Sequence, residues 1–251
     1  ELASQLNGEV SHTLIARFEK GQAMPDGRIL AKLCAALNLS ADFFFQSREV
    51  AFSELSFRKK ARLSVTERKA IEERARDFFS RYAEAEELVG TRIPYRPPFA
   101  GEVLSRPEQV EEYAERLRSA EGWNIGDNPV PNLHKLIELN GIRVHEVETE
   151  DRDFDGFSGE ANGEPIIVLA KWLDENIPRK RMTAAHELGH VVLPIPEDLS
   201  EKEHEAVVKP FAGAFLLPRQ SFTKAFGGVR TGISLGELID LKAQFGVSIM
   251  A

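Results

Sequence analysis

The sequence predicts an α+β protein in three parts: an all-α segment over residues 1–47, a helical linker over 48–100, and an α+β domain over 101–251. Short apolar-periodic segments joined by tight turns indicate the first part. A Pro/Gly-rich stretch at 93–101 marks a hinge and the main domain boundary. Three strand-like segments followed by a helix with the spacing His-Glu-x-x-His indicate the third part.

Composition narrows the class of protein. Of 251 residues, 42 % are hydrophobic, which is enough for packed cores. The single cysteine, Cys34, excludes an intramolecular disulfide, and its apolar neighbours predict a buried small hydrophobe rather than a nucleophile. Since no apolar run approaches the ~20 residues that span a bilayer, the expected location is the cytoplasm, with no membrane partner.

Charge is spread unevenly along the chain. The net charge of −8 argues against indiscriminate coating of nucleic acid. Residues 1–63, however, carry nine Lys/Arg against seven Asp/Glu, whereas the remainder carries 23 against 33. The N-terminal part can therefore approach a phosphate backbone that repels the rest.

The N-terminal part reads as four short helices, at 1–6, 11–20, 27–37 and from about Ser40. Ser11 is a good N-cap for the second helix, and Pro25-Asp26-Gly27 is a turn that leads into the third. The lengths of these helices and the tight turns between them suggest a helix-turn-helix domain. On the second helix, the inward-facing residues are Leu14, Ile15 and Phe18, and the outward-facing ones are His12, Thr13, Ala16 and Arg17.

The apolar spacing, with Arg17-Phe18-Glu19-x-Gly21 at its centre, resembles the XRE (Cro/repressor-like) DNA-binding family over residues 2–43. The resemblance implies that 11–20 is the recognition helix, binding operator DNA through Ser11, His12, Thr13, Ala16 and Arg17. Arg17 could contact guanine or phosphate, and a solvated face on a helical bundle is the alternative. Two departures are a long turn at 7–9 and the absence of the helix that the family has before Leu2, so we expect a cropped sequence.

The linker contains a basic run, Arg58–Arg62, which is either solvated or an added phosphate contact. A long amphipathic helix follows, from Ser64 or Thr66 to Val89, with half a capping box at Thr66. Its aromatic stripe predicts packing or a dimer surface rather than a cofactor site.

The C-terminal part alternates helices and strands. Asn162-Gly163 is a strong hairpin signal between two of the strands. His134 and His145 have no partner at ligand spacing, so neither is expected to bind metal. The predicted elements are helices at 106–120, 133–139, 181–193, 200–217 and 235–245, and strands at 142–147, 157–161 and 166–169.

The helix at 181–193 is largely apolar. Burying two imidazoles and a carboxylate on it costs free energy unless these groups have a binding partner. Residues four apart lie on one helix face, and His186 and His190 can therefore bind one zinc ion at about 2.0–2.1 Å. Glu187 can then reach a water on the metal as general base. Two core histidines with satisfied hydrogen bonds are the alternative, and a structural zinc site with four protein ligands is a weaker one.

A catalytic zinc needs a third ligand, and periodicity leaves it open. His204 and Glu205 both fall near the inner face of the next helix, and Pro210 can shift the phase of that face. Glu201 and Glu203 are the other candidates.

Arg181-Met-Thr-Ala-Ala-His186-Glu-Leu-Gly-His190, followed by Glu205-x-x-Val208-x-x-Phe211-Ala-Gly-Ala-Phe-Leu-Leu-Pro218, resembles the ImmA/IrrE family of zinc metallopeptidases, whose domain is zincin-like. The resemblance implies His186, His190 and Glu205 as zinc ligands and Glu187 as general base. Val208 and Lys209-Pro210 depart from the family pattern, and Pro210 bears on the angle of Glu205.

The two resemblances imply a bacterial transcriptional regulator that joins operator binding to zinc-dependent cleavage of a repressor-type protein. The upstream sheet offers an edge along which an extended peptide could lie. A homodimer is expected because helix-turn-helix proteins read paired half-sites. The alternative is a repressor or antitoxin whose metallopeptidase-like domain only senses or binds.

Overall fold

The computed structural model describes residues 2–6, 10–20, 22–45, 52–53, 64–104, 106–196, 198–227 and 232–248. The basic run 58–62 and the turn 7–9 lie outside these ranges. The chain forms two compact units, residues 1–49 and 50–251. Within the described ranges, no helix has the length and apolar character needed to cross a membrane.

The N-terminal unit is all-α. Ser11 caps the second helix by accepting a hydrogen bond from the Leu14 amide, as predicted, and Asp26 caps the third in the same way. The small core consists of Leu6, Val10 and Leu33, while Cys34 is half-buried rather than fully buried. The helices are α1 (Leu2–Gln5), α2 (His12–Glu19), α3 (Gly27–Leu37) and α4 (Ala41–Phe45).

The second unit contains a four-stranded sheet of order β1-β3-β4-β2. β3 and β4 form an antiparallel hairpin through Asn162 and Gly163, whose φ values of 53° and 76° suit a tight hairpin turn. β2 pairs with β4 in parallel. The strands are β1 (Phe52–Ser53), β2 (Arg143–Val147), β3 (Gly156–Ala161) and β4 (Glu164–Ala170), and the sequence analysis missed β1.

Strand β4 is buried on both faces, so its residues alternate between two cores. Ile166 and Val168 face α5 (Val65–Val89), which packs Ile71 and Phe79 against the sheet. The aromatic stripe on α5 is thus a packing surface. The cap of α5 is Ser64, which forms a full capping box with Glu67, and the half box predicted at Thr66 is wrong.

The opposite face of the sheet, with Ile167 and Leu169, packs on the C-terminal helices. Helix α8 begins at Ile177, earlier than predicted, because Asn176 caps it and Pro178 suits a first turn. The sequence analysis also missed α10. The helices are α6 (Val110–Ser119), α7 (Leu133–Leu139), α8 (Ile177–Val192), α9 (Glu201–Leu216), α10 (Arg219–Phe226) and α11 (Leu235–Phe245). Together with the sheet they confirm the α+β class.

Arg118 on α6 is a buried cation that joins three segments. Its guanidinium donates to the carbonyls of Gly126, Asn128 and Phe215, the last of them on α9, and its side chain is 1 % exposed. Burial lowers its pKa to about 10. Arg118 therefore fixes α6 and the following loop against the helix that carries Glu205.

We expect Arg118→Leu to lower the free energy of unfolding by roughly 3 kcal/mol, because three backbone carbonyls lose their charged donor, and that of Phe215 is fully buried. Denaturant unfolding measures this change. Arg116→Leu is the matched control: Arg116 forms a partly exposed ion pair with Glu102, so its loss should cost much less than the loss of Arg118. Equal costs for the two variants would contradict this account of Arg118.

Candidate metal centre

Close packing of α8 on α9 builds the centre, and Gly189 permits it. A Cβ on Gly189 would lie 2.9 Å from Val208 and 2.8 Å from Phe211, both on α9. Because Gly189 stands between His186 and His190, both imidazoles lie beside the start of α9. A glycine that would otherwise weaken a helix is therefore required here.

The three predicted donors lie close together. The Nε2 atoms of His186 and His190 are 3.2 Å apart. The Glu205 carboxylate lies 3.5 Å from His186 Nε2 through Oε2 and 3.4 Å from His190 Nε2 through Oε1. Among the described residues these three form a group whose donor atoms all lie within 4.8 Å of one another.

These separations fit zinc. Ligands bound tetrahedrally at about 2.0–2.2 Å lie about 3.3–3.6 Å from each other. The His186, His190 and Glu205 donors are 3.2–3.5 Å apart, which is close to that range. Two imidazoles and a carboxylate are also a donor set typical of catalytic zinc. The residues present therefore fit the ion that the motif implies.

The other candidate ligands have different surroundings. Glu203 closes a capping box with Ser200 at the start of α9, and this hydrogen bonding lowers its carboxyl pKa. Glu201 is exposed and His204 is half-buried, and neither joins the group. Pro210 lies within α9 at an exposed position, five residues beyond Glu205. Despite it, the Glu205 carboxylate lies beside both imidazoles.

Glu187 is buried next to the first histidine, with 7 % of its surface exposed. Its Oε2 accepts a 2.8 Å hydrogen bond from Ser158 Oγ, and Ser158 lies on β3 with 2 % exposed. Ser158 was not among the residues predicted from the sequence. The available signal was a small polar side chain within a strand whose neighbour, Phe157, faces the other core. Ser158 holds the Glu187 carboxylate in one orientation.

His134 and His145 do not belong to the donor group. His134 contacts Glu138 at 3.6 Å and Glu146 at 3.3 Å, and its pKa is raised, first by the hydrogen bond to Glu138. His145 stacks on Phe78, and burial lowers its pKa. Both have structural partners.

The predicted DNA-contacting residues lie on or beside α2. His12, Thr13 and Arg17 are exposed together with the cap Ser11, whereas Ala16 is half-buried. Leu14, Ile15 and Phe18 pack towards the small core of the unit, as predicted. One face of α2 is thus partly buried against the core while the other presents polar side chains, which is the arrangement a recognition helix needs.

Comparison with known families finds a match within each of the two units. Residues 1–44 match the helix-turn-helix family, and residues 137–251 match the peptidase family described as the IrrE N-terminal-like domain. No curated protein matches the chain significantly. Both resemblances seen in the motifs are therefore confirmed, and the chain is a fusion of an XRE-type helix-turn-helix domain with an IrrE-like peptidase-family domain.

Proposed function

We propose that this DNA-binding regulator is also a zinc-dependent endopeptidase, and that it cleaves a repressor-type protein. The observation that carries the proposal is the separation of the His186, His190 and Glu205 donors, 3.2–3.5 Å, with Glu187 next to His186 in the chain. We place the protein in the cytoplasm, as a homodimer on paired half-sites. The domain limits we propose are 1–47, 48–100 and 101–251.

Zinc, when bound, would polarise the scissile carbonyl and make an adjacent water acidic enough to lose a proton near neutral pH. Glu187 lies next to His186 in the chain and so can accept that proton. The water oxygen bonds to the scissile carbonyl carbon, and the same carboxylate then donates the proton to the amine that leaves as the C–N bond breaks. Ser158 holds the carboxylate during both transfers through its 2.8 Å hydrogen bond.

The substrate is proposed to lie extended beside the sheet. β3 carries Ser158, which contacts Glu187, so this strand is adjacent to the catalytic carboxylate. A peptide held extended on this side of the sheet would present its backbone carbonyls in a regular row. One of these carbonyls would face the His186, His190 and Glu205 donors.

Metal removal tests the proposal. The purified chain should contain one zinc ion. Dialysis of this chain against a chelator should abolish its cleavage of a helix-turn-helix repressor until zinc is restored. Metal content is measured by mass spectrometry and cleavage by electrophoresis. If His186 and His190 are both replaced by Ala and operator binding persists, while the intact chain cleaves no repressor, the C-terminal domain is instead a non-catalytic sensor.

For the DNA-binding unit, we expect Arg17→Ala to weaken operator binding about 5- to 100-fold, the loss typical of one base or phosphate contact. A base contact would relax sequence preference at one position, whereas a phosphate contact would weaken all sequences and reduce the salt dependence. Fluorescence anisotropy at several salt concentrations distinguishes them. Arg81→Ala, on α5 in the other unit, is the control. If Arg17→Ala bound the operator with unchanged affinity, Arg17 would not be a DNA-contacting residue.

A further inference from the structure

A cavity of about 400 Å³ lies among α8, α9, α10 and α11. Met182 contributes to its wall and precedes His186 by four residues, so the cavity begins one helical turn from the first histidine. One turn is about 5.4 Å, which an extended peptide covers in about two residues. The apolar part of the wall includes Met182, Gly213, Ala214, Leu217, Phe222 and Leu238.

Gly213 in this wall has no packing reason to be glycine. It lies in the interior of α9, it is absent from the residues with positive φ, and a Cβ there would meet nothing within 4 Å. Gly189 on α8 is the contrast, because its Cβ would collide with α9. A glycine in a helix interior weakens that helix relative to alanine. At Gly213 the absence of a side chain keeps the cavity open, at the expense of helix stability.

We propose that this cavity is the specificity subsite of the peptidase, and that it receives a large apolar side chain from a residue next to the scissile bond. The inference rests on the proposed endopeptidase function. The apolar wall selects leucine, methionine or phenylalanine over small or charged residues, because burying apolar surface favours binding. Among the charged lining residues, Arg219 lies 3.9 Å from Glu111, and Lys242 adds a further positive charge that disfavours lysine or arginine.

Zinc-binding hydroxamates test the subsite directly, without any catalytic turnover. Two series place a side chain on either side of the chelating group, and in each the side chain is methyl, isobutyl or 4-aminobutyl. Titration calorimetry on the zinc-loaded chain should show that in one series isobutyl binds about tenfold or more tightly than methyl. The 4-aminobutyl compound should bind no better than methyl.

Filling the cavity provides the decisive variant. Gly213→Leu should remove the isobutyl preference while leaving affinity for the methyl compound within about threefold, because zinc chelation is untouched. Ala214→Phe should do the same from a neighbouring position, which covers the case in which one variant folds poorly. Gly236→Leu is the matched control: Gly236 is exposed on α11 outside the cavity wall, and this variant should keep the preference.

The outcomes separate the subsite from the metal centre. Tight binding of all hydroxamates without an isobutyl preference, or a preference that survives both filling variants, would overturn the subsite and leave the zinc peptidase standing. Failure of every hydroxamate to bind, with no zinc in the purified chain, would overturn both. Loss of the preference in the two filling variants and its retention in Gly236→Leu would establish the subsite.

Discussion

Replacing Glu187 by glutamine is expected to slow cleavage of the protein substrate by about 10²–10⁴-fold, the usual contribution of a general base. Glutamine has nearly the same volume, and its amide oxygen can still accept the hydrogen bond from Ser158, so the buried site should stay folded. The amide cannot take a proton from water at neutral pH. Rates are compared under single-turnover conditions, so that product release does not mask the chemical step.

The same variant should retain its zinc, because Glu187 is not one of the three clustered donors. The matched control is Glu201→Gln, an identical change at an exposed position on α9, and it should cleave at the normal rate. If Glu187→Gln contained zinc, folded normally and cleaved as fast as the unaltered chain, the general-base role would be wrong.

Loss of the third donor should have the next largest effect. Glu205→Ala leaves only two imidazoles, and zinc affinity should fall by more than about 100-fold, since even residues that merely support a ligand are worth about 10–100-fold. Cleavage should fall with the metal content. Competition with a chromogenic chelator measures the affinity.

His204→Ala is the control for Glu205→Ala because the two residues are neighbours and both were candidates from the sequence. The His204 variant should bind zinc and cleave normally, since His204 does not join the donor group. The reverse result, with zinc lost in His204→Ala and kept in Glu205→Ala, would show that the start of α9 rotates relative to α8 when metal binds.

Local patterns predicted most of the elements because they depend on short-range physics. Periodicity located the helices at 133–139 and 235–245 to the residue, and Asn162-Gly163 located the hairpin. The first turn of α8 was missed because its signals, Asn176 and Pro178, precede the apolar part of the helix. Helix α10 was missed because it directly follows Pro218, where α9 was expected to close.

The candidate site was predictable only in part. Four-residue spacing was enough to pair His186 with His190. Periodicity alone could not choose between His204 and Glu205, because the packing of α9 on α8 decides which side chain faces the histidines. Ser158 was out of reach for the same reason: its contact with Glu187 joins a strand to a helix across 29 positions of sequence. Such contacts depend on tertiary structure.

Two of the clustered donors belong to α8 and the third to α9, and residues 193–200 connect the helices. An ion bound by all three donors would link α8 to α9 across this connection, and it could be removed again. Because such an ion binds the folded chain and not the unfolded one, its supply adds directly to thermodynamic stability. In a cell that lacks zinc, the regulator would thus lose its peptidase activity and would also unfold more readily, which exposes it to proteolysis. Zinc shortage would reduce the abundance of the protein as well as its activity.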